Sequence, residues 1–255
     1  MIDIHTHILP GIDDGARTIE DSITMIREAK MAGFTDLFAT SHYMDRAYLA
    51  DTKKREQLIN ELEERLKREQ IDIKLHIGAE IYVTPEMPAK ISEGIVPTLK
   101  QGRYVLMELP MNDKLLHMEN IILDLLSQRL VPIIAHPERY SYVQQDPNHL
   151  LPLLERGVLF QGNIGSAIGI YGKEAKKTLK LLLQHEMLQF LATDCHRPQS
   201  RYLKLSSELA EIKKIIPNSK IQELLTKNPS CMIEGKEIDM EDPIPCKKKL
   251  FGNWI

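Results

Sequence analysis

Apolar residues along the chain switch repeatedly between a strand-like and a helical spacing. Residues 1–5 form a short strand-like run, and Ile19, Ile23, Ile26 and Met31 then recur at helical intervals up to Gly33, a residue suited to ending a helix. Residues 36–40 predict a second strand. Leu58, Leu62 and Leu66 make one apolar stripe on a helix over about 51–70. The charges on the rest of that helix, Lys53, Lys54, Arg55, Glu63, Glu64 and Arg65, read as a solvated face. Further strands are expected over 73–81, 103–109, 130–135, 157–161 and 189–193, which makes seven in all. Strands alternating with helices argue for a parallel α/β sheet, and closure into a TIM-like barrel is the economical way to cover its edges in 255 residues. After Asp194 the pattern is helical over 200–216 and 220–227. A short tail containing Pro and Lys follows from about 242, and nothing in the pattern marks a second domain, so residues 1–255 are expected to form one.

Composition narrows the choice of function. A net charge of −3 leaves no global basic field to hold a nucleic-acid backbone or an anionic membrane, so any anion must be bound locally. No apolar run approaches the roughly 18 residues of a membrane span. Cys195, Cys231 and Cys246 are odd in number and lack metal-type pairing, which fits a reducing compartment. His5 lies so close to Met1 that a cleavable leader would have to contain the candidate site. A cytoplasmic protein is expected.

The chemistry stands at the predicted strand ends: His5 and His7, His42, Glu80, Glu108, His136, and Asp194 with His196. The steps from His5 through His42, Glu80 and Glu108 to His136 are 37, 38, 28 and 28 residues, each about one strand-helix unit. The next step, to Asp194, is 58 residues, and the strand that fills this gap ends in Gln161, Gly162 and Asn163 with no obvious ligand. In a barrel the carboxyl ends of all strands share one face, so ligands distant in sequence converge there. His5 and His7 are two apart, as are Asp194 and His196, and an extended strand points both members of such a pair to one side. So many imidazoles and carboxylates exceed what one ion accepts; two or three metals are implied, with Glu80 able to bridge two of them. In the loop after His7, either Asp13 or Asp14 can complete a shell, with Asp14 favoured; the ordinary alternative is that one of them caps the helix beginning near Thr18. Arg139 and Arg201 follow ligands closely, and their planar forks suit phosphate oxygens. His76, His117, His149 and His185 lie away from strand ends and are read as structural. Residues 162–166 resemble a phosphate-cradling loop, but the surrounding sequence lacks the glycine and lysine pattern of a P-loop, and a turn into a helix is expected.

The segment from His5 to Gly15, Gly78-Ala79-Glu80, the run from Ala135 to Arg139 and the run from Thr193 to Arg197 together resemble the PHP (polymerase and histidinol phosphatase) superfamily. Within it they are most similar to the bacterial manganese-dependent tyrosine-protein phosphatases of capsule and exopolysaccharide synthesis, over nearly the whole chain. The resemblance implies a distorted barrel of seven strand-helix units with a trinuclear centre. His5, His7, Glu80 and Asp194 would hold one ion; Glu80, Glu108 and His136 a second; Asp14, His42 and His196 a third. Arg139 and Arg201 would bind phosphate. Ser41, Tyr43 and Cys195 depart from the family pattern around the ligands while sparing every ligand. The implied reaction is hydrolysis of phosphotyrosine on the tail of a membrane-associated bacterial tyrosine kinase, with a metal-bound hydroxide attacking phosphorus and His196 or a metal-bound water as the acid. The N/O ligand set fits manganese, iron or zinc, and the resemblance points to manganese. Two rivals remain: a histidinol-phosphate type of small-molecule phosphatase, and a metal-binding regulatory protein without turnover.

Overall fold

The computed structural model describes residues 1–113, 118–248 and 254, so His117 and Lys249 lie outside the described residues. Its strands are β1 (Ile2–Thr6), β2 (Asp36–Ala39), β3 (His42–Tyr43), β4 (Lys74–Ile77), β5 (Glu80–Tyr82), β6 (Tyr104–Glu108), β7 (Val131–Ala135), β8 (Leu159–Asn163) and β9 (Phe190–Ala192). Every pairing between them is parallel. They form two sheets, ordered β1-β2-β4 and β3-β5-β6-β7-β8-β9. The division arises because two of the seven expected strands are broken: β2 gives way to β3 at Thr40 and Ser41, and the strand expected over 73–81 parts at Gly78 and Ala79 into β4 and β5. Backbone bonds carry the wall across both breaks, from Thr40 N to the Thr6 carbonyl and from Glu80 N to the Thr40 carbonyl, each 2.8 Å. Gly78 is required there, since a Cβ would stand 2.8 Å from Leu99 Cδ2 and 3.1 Å from Thr40 Cγ2.

Among the described residues no strand ladder joins β9 to β1. Two backbone bonds tie their carboxyl ends instead, Asp194 N to the His5 carbonyl at 3.0 Å and His7 N to the Cys195 carbonyl at 2.9 Å. Below them the fully buried Asp3 acts as a clasp. Its carboxylate accepts from Thr193 N at 3.1 Å, Thr193 Oγ1 at 2.5 Å and Tyr202 Oη at 3.1 Å. The pairing of β1 with β2 also slips between Asp3 and Thr6. A slip of this kind changes the side that successive residues take, and here Ile4 belongs to the inner apolar cluster while His5, the next residue, also turns inward to Gln161.

That inner cluster is small. Ile2, Ile4, Phe38, Leu106, Ile133, Leu159 and Phe190 fill the space enclosed by the strands, and a much larger apolar layer lies between the strands and the surrounding helices. Strand alternation places Glu108 above Leu106, Gln161 and Asn163 above Leu159, and Asp194 above Phe190 and Ala192. Apolar residues therefore floor the site and polar ones line its rim.

The helices behave as their end signals dictate. Helix α1 (Ile19–Met31) starts at Thr18, whose hydroxyl accepts from Asp21 N at 3.1 Å, so neither Asp13 nor Asp14 is its cap. Helix α2 (Thr52–Arg68) is capped by Asp51, which accepts from Lys54 N at 2.8 Å. The turn expected after β8 is a 3-10 turn over Ile164–Ile168, ahead of a helix over Lys173–Gln184. Residues 235–248 run back over the body, where Cys246 is buried and exchanges two bonds with the Asn148 side chain, at 2.8 and 3.0 Å. Among the described residues no helix is long and apolar enough to cross a membrane.

One expectation for α2 fails. Arg55 does not belong to the solvated face but is fully buried. Its guanidinium donates to the carbonyls of Ser41 at 2.7 Å, His42 at 2.8 Å, Ala50 at 2.9 Å and Gly78 at 3.2 Å. It thus satisfies the carbonyls that both strand breaks release from the ladder, and it fixes the backbone that carries His42. Replacing it strands those carbonyls in the interior. We expect Arg55→Met to lower the denaturant unfolding free energy by about 3 kcal/mol or more, given roughly 1–3 kcal/mol for each buried polar group left unsatisfied; a change under about 1 kcal/mol would show that the carbonyls find other partners.

Candidate metal centre

The broken strands and the slip in β1 bring all nine candidate ligands to one rim. Glu80 opens β5 and is wholly buried at its centre. Its Oε2 lies 3.1 Å from His5 Nε2, 3.3 Å from His7 Nε2 and 3.1 Å from His42 Nδ1, and its Oε1 lies 3.0 Å from His136 Nε2. Asp194 Oδ1 stands 3.4 Å from the Nε2 atoms of both His5 and His7. His5, His7, Glu80 and Asp194 thus form one group able to hold an ion. A second comprises His7, Asp14, His42 and His196, with Asp14 Oδ1 3.7 Å from His42 Nε2 and 3.6 Å from His196 Nε2. The third group holds His42, Glu80 and Glu108, and His136 Nε2 reaches Glu108 Oε1 at 3.6 Å beside it. His42 therefore faces two groups, one with each ring nitrogen, whereas the resemblance gave it to one.

The donor atoms fit cations and fit little else. Glu80 Oε2, Asp194 Oδ1 and His42 Nδ1 are buried without a hydrogen bond, and such atoms are costly unless something compensates them. His5 and His7 point Nε2 atoms at each other across 3.1 Å, and the His7 and His196 rings stack at 3.7 Å. Protons alone serve poorly. Burial opposes a charge on His5, yet Glu80 and Asp194 outweigh it and lift the imidazole to about 9; burial drives His42 the other way, to about 4. Burial, reinforced by the charge of Glu80, pushes Glu108 up to about 8. A site whose carboxylates strain for positive charge while some of its imidazoles are kept neutral is prepared for divalent ions.

Side chains behind the ligands hold them in place. Asp13 accepts from His7 Nδ1 at 2.8 Å and from the backbone N–H of His42 at 2.8 Å and of Gly15 at 2.9 Å. Its carboxylate is buried against His7, while Asp14 projects toward the cluster. His196 turns Nδ1 to the carbonyl of Asp194 at 3.0 Å, leaving Nε2 toward Asp14. Two candidate ligands have left-handed backbone, His136 with φ 36° and Asp194 with φ 52°; conformations of this kind cost about 1–3 kcal/mol and persist where the surroundings enforce them.

Arg139 reaches the cluster itself, and Arg201 lies over the turn that follows β8. Arg139 Nη1 donates to Asp194 Oδ2 at 3.1 Å while its guanidinium lies over the Tyr171 ring, 4.6 Å from the centroid. Arg201 Nη1 is 3.4 Å from Glu208 Oε1. It crosses Gly165 so closely that a Cβ there would come within 2.4 Å of Nη1, so glycine leaves room for the guanidinium. Cys195 turns away into the core, where burial pushes its thiol up to about 11, and it plays no part in the rim. The histidines read as structural and described here stay off the site: His76 bonds Asp36 at 2.9 Å, His149 the Tyr142 and Asp146 carbonyls, and His185 the Ile244 carbonyl at 2.8 Å. Sequence reasoning passed over Asp3, Arg55, Tyr171 and the two amides of β8. For β8 a signal existed: alternation from Leu159 aims Gln161 and Asn163 inward at the one strand end without a ligand.

Comparison with known proteins places this geometry. A family model for capsular polysaccharide synthesis proteins of the CpsB/CapC type matches residues 1–234. The chain is 33% identical over 255 residues to the tyrosine-protein phosphatase YwqE of Bacillus subtilis (strain 168), covering 99% of each. It superposes with a TM-score of 0.91 and 31% identity on a chain from the crystal structures of YwqE of Bacillus subtilis and CpsB of Streptococcus pneumoniae, described as unique metal-dependent tyrosine phosphatases, covering 97% of this chain and 100% of that one. A histidinol phosphate phosphatase from Lactococcus lactis subsp. lactis has a TM-score of 0.54 at 15% identity, over 84% of this chain and 93% of that one, a likeness of fold alone.

Because Glu80 alone touches four of the imidazoles, its charge should matter more than that of Glu108 at the edge. We expect Glu80→Gln to retain fewer ions per chain after desalting than Glu108→Gln, read by elemental analysis. Equal retention by the two variants would contradict the central place given to Glu80.

Proposed function

The chain belongs to the CpsB/CapC family of capsular polysaccharide synthesis proteins, and from that premise we propose that it is a metal-dependent protein-tyrosine phosphatase. Its substrate on this reading is a phosphorylated tyrosine in the tail of a membrane-associated bacterial tyrosine kinase, met in the cytoplasm. Three divalent ions, manganese first among them, are held by His5, His7, Asp14, His42, Glu80, Glu108, His136, Asp194 and His196. The observation that carries the reading is the gathering of these nine side chains into one cluster centred on Glu80, with Arg139 anchored on Asp194 beside it.

When bound, the ions supply Lewis acidity and lower the pKa of a coordinated water. The protein supplies the rest. Arg139 is fixed by Asp194 and Tyr171, and Arg201 by Glu208, so both present guanidinium N–H groups without having to be ordered at the moment of reaction. Donors set in advance at the rim stabilise the charge that builds on the equatorial phosphoryl oxygens, and their forks match phosphate. His196 is better suited to ligation than to proton delivery, because its Nδ1 is engaged by the Asp194 carbonyl and its free Nε2 faces Asp14.

Turnover of a phosphotyrosine peptide should vanish with chelator and return with manganese, and should exceed turnover of histidinol phosphate. Arg139→Ala is expected to lower kcat/KM by about 10²–10³-fold, the usual effect of losing one oriented donor. Preference for histidinol phosphate would shift the substrate to a small molecule. No turnover of either ester with manganese restored would leave a metal-binding protein without the proposed activity.

A further inference from the structure

The one strand end that carries no candidate ligand carries a chain of hydrogen bonds instead. His5 Nδ1 stands 2.7 Å from Gln161 Oε1, Gln161 Nε2 donates to Asn163 Oδ1 at 2.9 Å, and Asn163 Nδ2 donates to Asp194 Oδ2 at 2.7 Å. All four residues are buried. The line therefore connects two members of one candidate ion site, His5 and Asp194, through two side chains that bear no charge.

The direction of this line is dictated from one end. Asp194 is a carboxylate already accepting from Arg139 through Oδ2, so Asn163 must turn its NH₂ toward it. The Asn163 oxygen then faces Gln161 and can only accept, which forces Gln161 to present its own NH₂. The Gln161 oxygen is left facing His5, and His5 must place its proton on Nδ1. Its Nε2 is then a bare lone pair, aimed at Glu80, Asp194 and His7. At the far end the side-chain donors to Asp194, from Arg139, Asn163 and Tyr171, all occupy Oδ2, and Oδ1 is left free toward the same point. Turning either amide over would set two oxygens or two NH₂ groups face to face in the interior.

We infer that Gln161 and Asn163 are positioning residues that act as one relay, by which the carboxylate of Asp194 sets the tautomer of His5 and so prepares both ligands of one ion. The inference rests on the reading of His5 and Asp194 as ligands. Orienting partners of this kind are typically worth about 10–100-fold in metal affinity. Both amides are wholly buried, so their effect is on uptake of the ion.

The test titrates Mn²⁺ or Zn²⁺ alone into chelator-stripped, full-length protein by calorimetry. Gln161→Leu and Asn163→Leu should each weaken the tightest site by about 10–100-fold. The double variant should bind within about two-fold of the weaker single variant, because one unbroken relay is lost in every case; independent effects at separate sites would instead add. Near-isosteric Gln161→Met keeps the volume of the site without adding charge, so it carries the test should the leucine variants fold poorly, and it removes both the acceptor for His5 and the donor to Asn163 and should weaken binding as well. Nitrogen-15 NMR of zinc-loaded wild-type protein should place the His5 proton on Nδ1. Folded variants with wild-type affinity, additive losses in the double variant, or a proton on Nε2 of His5 would overturn the relay. Wild-type protein that takes up no metal would instead overturn the metal-centre reading, and the relay with it.

Discussion

Glu80 is the point on which the rest of the molecule depends. A buried carboxylate within 3.3 Å of four imidazole nitrogens needs positive charge beside it, and an unpaired charge in the interior costs several kcal/mol or shifts until it is neutral. Protonating every ring is not an answer, because the rings are stacked and opposed at distances where their charges would repel. Divalent ions meet the demand with fewer particles and accept several nitrogens and oxygens at once. The cluster therefore makes sense as a container for cations, and the fold makes sense as the means of bringing its walls together.

The means are mostly irregularities in a regular sheet. A perfectly paired set of strands would close its own carboxyl ends with backbone bonds. Here the breaks at Thr40 and Ser41 and at Gly78 and Ala79 let β3 and β5 carry His42 and Glu80 to the centre, and Arg55 takes up the carbonyls released. The slip in β1 turns His5 inward, and Asp3 holds the seam against β9, so the pair His5 and His7 stands opposite Asp194. Left-handed backbone at His136 and Asp194 is the local cost of these placements.

How far the sequence discloses this depends on the kind of signal. Strand and helix alternation is local, and it foretells the parallel sheet and the limits of most elements. Ligand types recurring once per strand-helix unit carry the rim, since a barrel turns that recurrence into proximity. Breaks inside 36–43 and 73–82 are hidden because an apolar run stays apolar across a two-residue interruption. Arg55 misleads for a related reason: its position on α2 resembles its solvated neighbours, and only the two loops folded over it make it interior. Asp3, Gln161 and Asn163 are polar residues whose partners lie up to 199 positions away, and no spacing rule reports a hydrogen bond made across the barrel. Alternation does aim Gln161 and Asn163 inward, but their residue types do not announce a metal site.

The central claim is that this rim gathers cations around Glu80, and a crystal grown with manganese tests it most directly. An anomalous-difference map at the manganese edge should show density bounded by His5, His7, Glu80 and Asp194, with further peaks beside Glu108 and His136 and beside Asp14 and His196. A map with no peak within coordinating distance of Glu80 would contradict the account.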